Sequence, residues 1–193
     1  MKKTGLFFGS FNPIHIGHLI IANHLVEHSD LDEIWFVVTP HNPHKQKATL
    51  LSDIQRLMMV RLAVENYPKF KASNIEFDLP QPNYTINTLT VLQEKYPENE
   101  FALIMGQDNL AGLYKWKNYQ RILQYYRIYV YPRLTEKTVR EDIYTHPSVR
   151  HIQAPVMEIS ATQIRKDIKS GKNVRPLLAP EVFTYIDEMN FYK

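Results

Sequence analysis

The sequence contains no cysteine, which removes several kinds of function at once. Disulfides, thiolate metal sites and a cysteine nucleophile are all excluded. A long apolar segment is also missing near the start of the chain, where only the short run Gly5–Gly9 precedes polar residues. Because a signal peptide or a membrane span needs a longer run, we expect a cytoplasmic protein with no membrane partner.

Two familiar nucleotide-binding patterns are absent as well. The chain has neither a GxxxxGKS/T P-loop nor a GxGxxG fingerprint, so P-loop kinases and dinucleotide-dependent oxidoreductases gain no support. The formal net charge of +3 is too small to indicate a nucleic-acid partner, although it suits a protein that handles phosphates. With 193 residues, 44% hydrophobic and 22% charged, the composition is that of a globular protein.

Strand-like and helix-like segments alternate along the chain. Short apolar runs predict strands at Gly5–Gly9, Glu33–Thr39, Lys71–Phe77, Glu100–Met105, Arg127–Tyr131 and Val149–Gln153. Helical spacing predicts helices at His18–Glu27, Ser52–Asn66, Thr85–Tyr96, Gln120–Tyr125, Ala161–Ser170 and Pro180–Met189. This order predicts an α/β fold: a doubly wound, Rossmann-like parallel sheet with helices on both faces. We expect a single domain over residues 1–193, with a helical portion from about residue 159.

The strongest chemical signal follows the first predicted strand, between Gly9 and His18. Gly9 lets a phosphate approach the backbone, and Gly17 allows close packing where the helix begins. His15 and His18 lie at or just before the helix N-terminus, where free N–H groups and the helix dipole attract anions. Two imidazoles there can donate hydrogen bonds to phosphate oxygens, so we interpret the segment as a phosphate site rather than a solvated loop.

A weaker signal lies between Ile159 and Arg165. Ser160 is suited to be the N-cap of a helix, and Arg165 follows about a turn and a half later. Hydroxyl groups and a guanidinium at a helix N-terminus form an anion site. Taken alone, the segment fits an ordinary solvated helix start better, because Ser and Thr caps are common and a lone arginine on a helix is usually solvated.

Together, the HxGH element at His15–His18 and the ISxTxIR element at Ile159–Arg165 resemble the nucleotidylyltransferase superfamily. Other segments are similar to those of bacterial nicotinate-mononucleotide adenylyltransferases. They are the PxxPHK loop at Pro40–Lys45, the SYTxxTL segment at Asn83–Leu89, and the GxD segment at Gly106 and Asp108 with Trp116 further on. The sequence departs from the family pattern at Phe8, Asn12, Asn83 and Ala161.

The resemblance implies a reaction in NAD biosynthesis. The adenylyl group of ATP is transferred to nicotinate mononucleotide, which gives deamido-NAD and pyrophosphate. Mg²⁺ is expected to accompany ATP. An adenylyltransferase for another phosphate acceptor, nicotinamide mononucleotide or phosphopantetheine, is the alternative. A homo-oligomer is left open by the sequence.

The resemblance also implies roles for individual residues. The catalytic residues are His15 and His18. The residues expected to bind ATP are Gly9, Ser10, Phe11, His15, His18, Gly106, Asp108, Ser160, Thr162 and Arg165. Those expected to bind the mononucleotide are Asn12, Lys45, Tyr84, Thr85 and Trp116, the last by stacking on the pyridine ring. No side chains are assigned to a metal.

Three competing interpretations remain weaker. His24, Glu27 and His28 match the HxxEH pattern of one zinc-peptidase class, but that site needs a further carboxylate from a different fold. A nucleotide-binding regulatory module would not need both phosphate elements intact. A fragment related to class I tRNA synthetases would need a KMSKS sequence and a tRNA-binding domain, and the chain has no KMSKS sequence.

Overall fold

The structure is a computed structural model that describes residues 1–40 and 50–193. Six strands in this part of the chain form one sheet: β1 (Lys2–Gly9), β2 (Glu33–Val38), β3 (Phe70–Ser73), β4 (Asn99–Gly106), β5 (Arg127–Tyr131) and β6 (Val149–His151). Their order is β3-β2-β1-β4-β5-β6, and each neighbouring pair is parallel. The order reverses between β1 and β4, which is where doubly wound sheets bind ligands. The predicted α/β fold is confirmed.

Helices connect the strands and cover both faces of the sheet. They are α1 (Ile16–His28), α2 (Asp53–Val64), α3 (Thr85–Lys95), α4 (Gln107–Leu110), α5 (Tyr119–Tyr125), α6 (Glu141–Tyr144), α7 (Ala161–Lys169) and α8 (Pro180–Glu188). Short 3₁₀ turns occur at Leu113–Lys115 and Arg175–Leu177. Within the described residues, no helix is both long enough and apolar enough to cross a membrane.

Neighbouring residues of each central strand point into two different cores. Phe7 and Phe36 pack on one face with apolar residues of α1, α2 and α8. Leu6 and Trp35 pack on the other face with residues of α3 and α5. Because both faces are buried, these strands are apolar without alternation, which explains why short apolar runs predicted them.

Most element limits differ from the prediction by a few residues, and two of the differences have a clear local cause. Helix α1 begins at Ile16 rather than His18, because His15 has extended backbone angles (φ −140°, ψ 170°) and acts as the N-cap. Strand β3 is Phe70–Ser73, shorter than predicted, because the chain turns after Ser73 and the N–H of Phe77 donates to the carbonyl of Asn74. The short helices α4 and α6 were not predicted.

Candidate active site

A cavity of about 540 Å³ opens at the carboxyl ends of the central strands. Its wall is formed by residues 9–13 after β1, Tyr131 and Arg133 at the end of β5, and the first residues of α1 and α7. The cavity is the crevice beside the reversal in strand order, where doubly wound sheets bind ligands. The N-termini of two helices also line this crevice, and helix N-termini attract anions.

The two phosphate elements of the sequence come together in this cavity. The predicted site residues that line it are Gly9, Ser10, Phe11, Asn12, His15, His18, Ser160, Thr162 and Arg165. The pairing of these segments, far apart in the chain, supports interpreting the Ile159–Arg165 segment as an anion site instead of an ordinary helix cap.

His15 and His18 are stacked, with ring centroids 3.7 Å apart and an angle of 26° between the rings. The backbone N–H of His15 donates to Nδ1 of His18 at 3.2 Å. Since a backbone N–H can only donate, Nδ1 carries no proton, and the neutral imidazole holds its proton on Nε2. His18 therefore offers an Nε2–H donor, while the edges of Phe7 and Phe11 hold its ring in place.

Both imidazoles are neutral near pH 7. Burial, with a further contribution from the positive charge of Arg133, lowers the pKa of His15 from 6.5 to about 4. The pKa of His18 also lies well below its ordinary value, first through burial and then through His15 and Arg133. His18 keeps some solvent contact through the cavity, so an anion can reach it. A bound polyphosphate would oppose the effects of burial and of the arginine.

Two glycines allow the backbone to fold tightly around these rings. A Cβ at Gly17 would lie 3.1 Å from Nδ1 of His15, and one at Gly9 would lie 2.8 Å from the ring of Phe11. Phe11 itself has a positive φ of 46°, a conformation that costs a non-glycine residue roughly 1 kcal/mol or more. The burial of its ring compensates for this strain and fixes the turn after β1.

Arg165 connects α7 to the turn after β1. Its Nη1 donates to the carbonyl of Asn12 at 2.7 Å, and its Nη2 lies 3.4 Å from the hydroxyl of Thr162. The side-chain oxygen of Asn12 accepts hydrogen bonds from the hydroxyl of Tyr192 (2.7 Å) and the N–H of Leu51 (3.3 Å). Asn12 thus ties three distant segments together at the cavity wall.

Gly106 and Asp108 lie behind the cavity wall and do not line it. A Cβ at Gly106 would come within 2.7 Å of the side chain of Arg133, which does line the cavity. Oδ1 of Asp108 is buried and has no hydrogen-bond partner within residues 1–40 and 50–193. Asn109, which was not predicted, lines the cavity next to this pair.

Of the predicted acceptor residues, Asn12 lines the cavity and three others lie outside it. Tyr84 is the N-cap of α3 and Thr85 is its first residue, but neither lines the cavity, and nor does Trp116. The ammonium of Lys117 lies 4.4 Å from the ring centroid of Tyr84, so the start of α3 and the segment at Trp116 are close to each other. Lys45 lies outside the described residues.

Sequence reasoning missed two arginines that shape the site. Arg133 follows β5, and a basic residue at the carboxyl end of a predicted strand is the signal that could have found it. Arg56 is fully buried on α2 and donates to the carbonyls of Ser10 and Thr39, at the ends of β1 and β2. A charge among the buried positions of an amphipathic helix was its only sequence signal.

The zinc-peptidase pattern gains nothing from the structure. The rings of His24 and His28 are 4.5 Å apart, but Glu27 forms an ion pair with Lys69 at 2.8 Å. In the part of the chain that the structure describes, no group of three or more His, Cys, Asp or Glu side chains is arranged to hold a metal ion.

Comparisons with known proteins agree with this geometry. A family model described as cytidylyltransferase-like matches residues 6–167, which include both histidines and Arg165. The chain is 62% identical to a probable nicotinate-nucleotide adenylyltransferase of Flavobacterium psychrophilum, over 99% of each chain. It is 48% identical to the protein of the same name from Bacteroides fragilis, over 95% of this chain and 90% of that one. The chain belongs to the nicotinate-nucleotide adenylyltransferases of the cytidylyltransferase-like family.

A solved structure shares the fold. It is a nicotinic acid mononucleotide adenylyltransferase of Plasmodium falciparum complexed with NaAD, with a TM-score of 0.81 and 19% sequence identity. The similarity covers 100% of this chain and 98% of that one.

Proposed function

We propose that the protein transfers the adenylyl group of MgATP to nicotinate mononucleotide, which yields deamido-NAD and pyrophosphate. The observation that carries this proposal is the convergence of a stacked histidine pair, Arg133 and the start of α7 on one cavity at the switch point of the sheet. The names of the relatives supply the acceptor.

The reaction exchanges one phosphorus–oxygen bond for another. A phosphate oxygen of the mononucleotide attacks the α-phosphorus of ATP, and the bond to the β-phosphate breaks with its electron pair leaving on pyrophosphate. The attacking oxygen is already an anion near pH 7, so no side chain has to remove a proton. Catalysis then consists of aligning two phosphates and stabilising the charge that moves to the leaving group. Alignment alone can contribute roughly 7–11 kcal/mol in favourable cases.

His18 is the residue that we assign to the transferring phosphate. Its Nε2–H can donate to an α-phosphate oxygen. A donor of this kind is worth about 3–4 kcal/mol in the transition state. His15 stacks on it and contributes to the same phosphate site.

The start of α7 and Arg133 are assigned to the leaving pyrophosphate. Oγ of Ser160 accepts from the N–H of Gln163 at 3.1 Å, so its own proton is free to go to a phosphate oxygen. The hydroxyl of Thr162 and the guanidinium of Arg165 lie beside it on the cavity wall. The remaining phosphate and the ribose would lie against Gly9, Ser10 and Phe11. The adenosine would bind near Gly106 and Asp108.

Mg²⁺ fits this proposal as part of the nucleotide substrate. The described residues hold no acidic cluster suited to a resident ion, whereas ATP phosphates and water supply the oxygen ligands that Mg²⁺ prefers. The protein would therefore bind the MgATP complex. We propose that this activity takes place in the cytoplasm.

The acceptor group is proposed to lie at the start of α3. The first N–H groups of that helix have no side-chain cap, which leaves them available to an anion such as the nicotinate carboxylate. We assign five residues to this half of the site: Asn12, Lys45, Tyr84, Thr85 and Trp116.

A pyrophosphate-release assay with MgATP and a panel of acceptors tests the function. Nicotinate mononucleotide should support turnover, with deamido-NAD identified by mass, and phosphopantetheine should not. Turnover with phosphopantetheine alone, or pyrophosphate release that needs no acceptor, would contradict the proposal.

A further inference from the structure

Glu76 is a buried acid that the phosphate chemistry does not use. It lies in the turn after β3, is 2% exposed, and does not line the cavity. Its Oε1 accepts a hydrogen bond from the hydroxyl of Thr88 at 2.7 Å. Its Oε2 is buried without a hydrogen-bond partner among the described residues. Because such a group is costly to bury, its place in the fold calls for a reason.

Glu76 is tied to both sides of the proposed acceptor segment. Asn83, immediately before Tyr84, donates from its side-chain amide to the backbone carbonyl of Glu76 at 3.0 Å. Thr88, on the far side, donates to the carboxyl of Glu76 and is itself fully buried. Tyr84 and Thr85 thus lie between two hydrogen bonds that end on one residue.

The electrostatic surroundings of Glu76 include a residue of the phosphate cavity. Burial raises the pKa of Glu76, and the hydroxyls of Thr88 and Thr39 act in the opposite direction. Thr39 follows β2 and lines the cavity, and its carbonyl is held by Arg56. Glu76 therefore stands between the cavity wall and the start of α3.

We propose that Glu76 is a positioning residue for the acceptor mononucleotide, because its hydrogen bonds with Asn83 and Thr88 fix the peptide groups of Tyr84 and Thr85 between them. The inference rests on the proposed function and deepens its acceptor half. It also gives Asn83 a role, since the side-chain amide that departs from the family pattern forms one of the two ties.

The decisive variant is Thr88→Val, which removes the hydroxyl bonded to Glu76 while keeping shape and volume. We expect the KM for nicotinate mononucleotide to rise at least about tenfold, the scale of losing one buried hydrogen bond, with less than about threefold change in the KM for ATP. Thr90→Val is the matched control, because Thr90 lies on the same helix, is exposed, and bonds only to the carbonyl of Ile86 within the described residues. This control should match the parent in both constants.

Two further variants distinguish a loss of positioning from a folding defect. Glu76→Gln keeps an oxygen acceptor for Thr88 without a charge, so its KM values for both substrates should stay close to those of the parent. Asn83→Ala removes the second tie at a half-buried position and should raise the acceptor KM by a smaller factor than Thr88→Val. Melting temperatures measured in parallel show how far each variant is destabilised.

The outcomes separate the inference from the function on which it rests. Parallel increases in both KM values, or a lower melting temperature with unchanged KM values, would overturn the positioning role while leaving adenylyl transfer in place. A parent protein that releases no pyrophosphate with nicotinate mononucleotide would instead overturn the function, and the inference with it.

Discussion

The two halves of the proposed site are built in different ways. The phosphate half is a walled cavity in which His15, His18 and Arg165 are held by hydrogen bonds to or from the backbone and by ring packing. The acceptor half is open: Tyr84 is 40% exposed, and none of the described acceptor residues except Asn12 reaches that cavity. On the proposed assignments, the phosphate chemistry lies in the walled cavity and the choice of acceptor lies in the more exposed segment.

This difference predicts different kinetic signatures for the two halves. Changes in the phosphate half should lower kcat or weaken ATP binding, because the interactions there act on the reacting phosphates. Changes in the acceptor half should alter the KM and specificity for the mononucleotide. The experiments below are ordered by the size of the expected effect.

The largest effect is expected at His18. His18→Asn keeps an acceptor near the position of Nδ1 for the N–H of His15, but it lacks the Nε2–H. Turnover should fall at least about a hundredfold, the scale of losing one transition-state donor. The melting temperature should fall less than in His18→Ala, which also leaves that backbone N–H without its acceptor.

His28→Ala is the control for this prediction, because His28 is exposed on the same helix and does not line the cavity. Near-parental turnover in His18→Asn would show that the donor is another group.

Removal of the guanidinium at Arg165 should weaken ATP binding. A charged hydrogen bond to phosphate contributes roughly 1.5–3 kcal/mol, so Arg165→Ala should raise the KM for ATP by about tenfold or more. Lys166→Ala changes the neighbouring exposed cation and should have little effect. An unchanged KM in Arg165→Ala, together with a large drop in melting temperature, would mean that the bond to the Asn12 carbonyl is its whole role.

The choice between two mononucleotides tests the acceptor half of the site. Nicotinate mononucleotide should be preferred to the nicotinamide form by about tenfold to a hundredfold in kcat/KM, because an amide NH₂ facing N–H donors leaves them unpaired at about 1–3 kcal/mol. Equal kcat/KM values for the two mononucleotides would refute the preference but not adenylyl transfer.

A smaller effect should appear as acid sensitivity of the protein without nucleotide. The pKa of His15 is lowered from 6.5 to about 4, so between these values the folded protein binds fewer protons than the unfolded chain and stability falls as pH decreases. At pH 5 this amounts to about 2 kcal/mol relative to pH 7. Urea unfolding at both pH values should show a smaller loss in His15→Gln than in the parent, and equal losses would contradict the assignment.

The alternation of apolar segments was sufficient to predict the sheet, and His15, His18 and Arg165 could be found because their motifs are local. Arg56 and Glu76 could not be found in this way, because each acts through contacts with residues distant in sequence, and a buried charge in a sequence looks the same as an exposed one. Arg133 is only partly buried and follows the predicted fifth strand, so its position at the end of that strand was the available signal. The short β3 was misjudged because the turn after Ser73, which begins the approach to Glu76, continues the apolar pattern of the strand through Ile75 and Phe77.

The hydrogen bond between Tyr192 and Asn12 also bears on how the protein is made. Asn12 is synthesised 180 residues before Tyr192, yet the hydroxyl of Tyr192 fixes the side chain of Asn12 at the cavity wall. A nascent chain can pair its first strands while translation continues, since domains fold as their residues emerge. The turn proposed to hold the nucleotide gains this hydrogen bond only after residue 192 has left the ribosome, so phosphate binding should mature later than the pairing of the first strands.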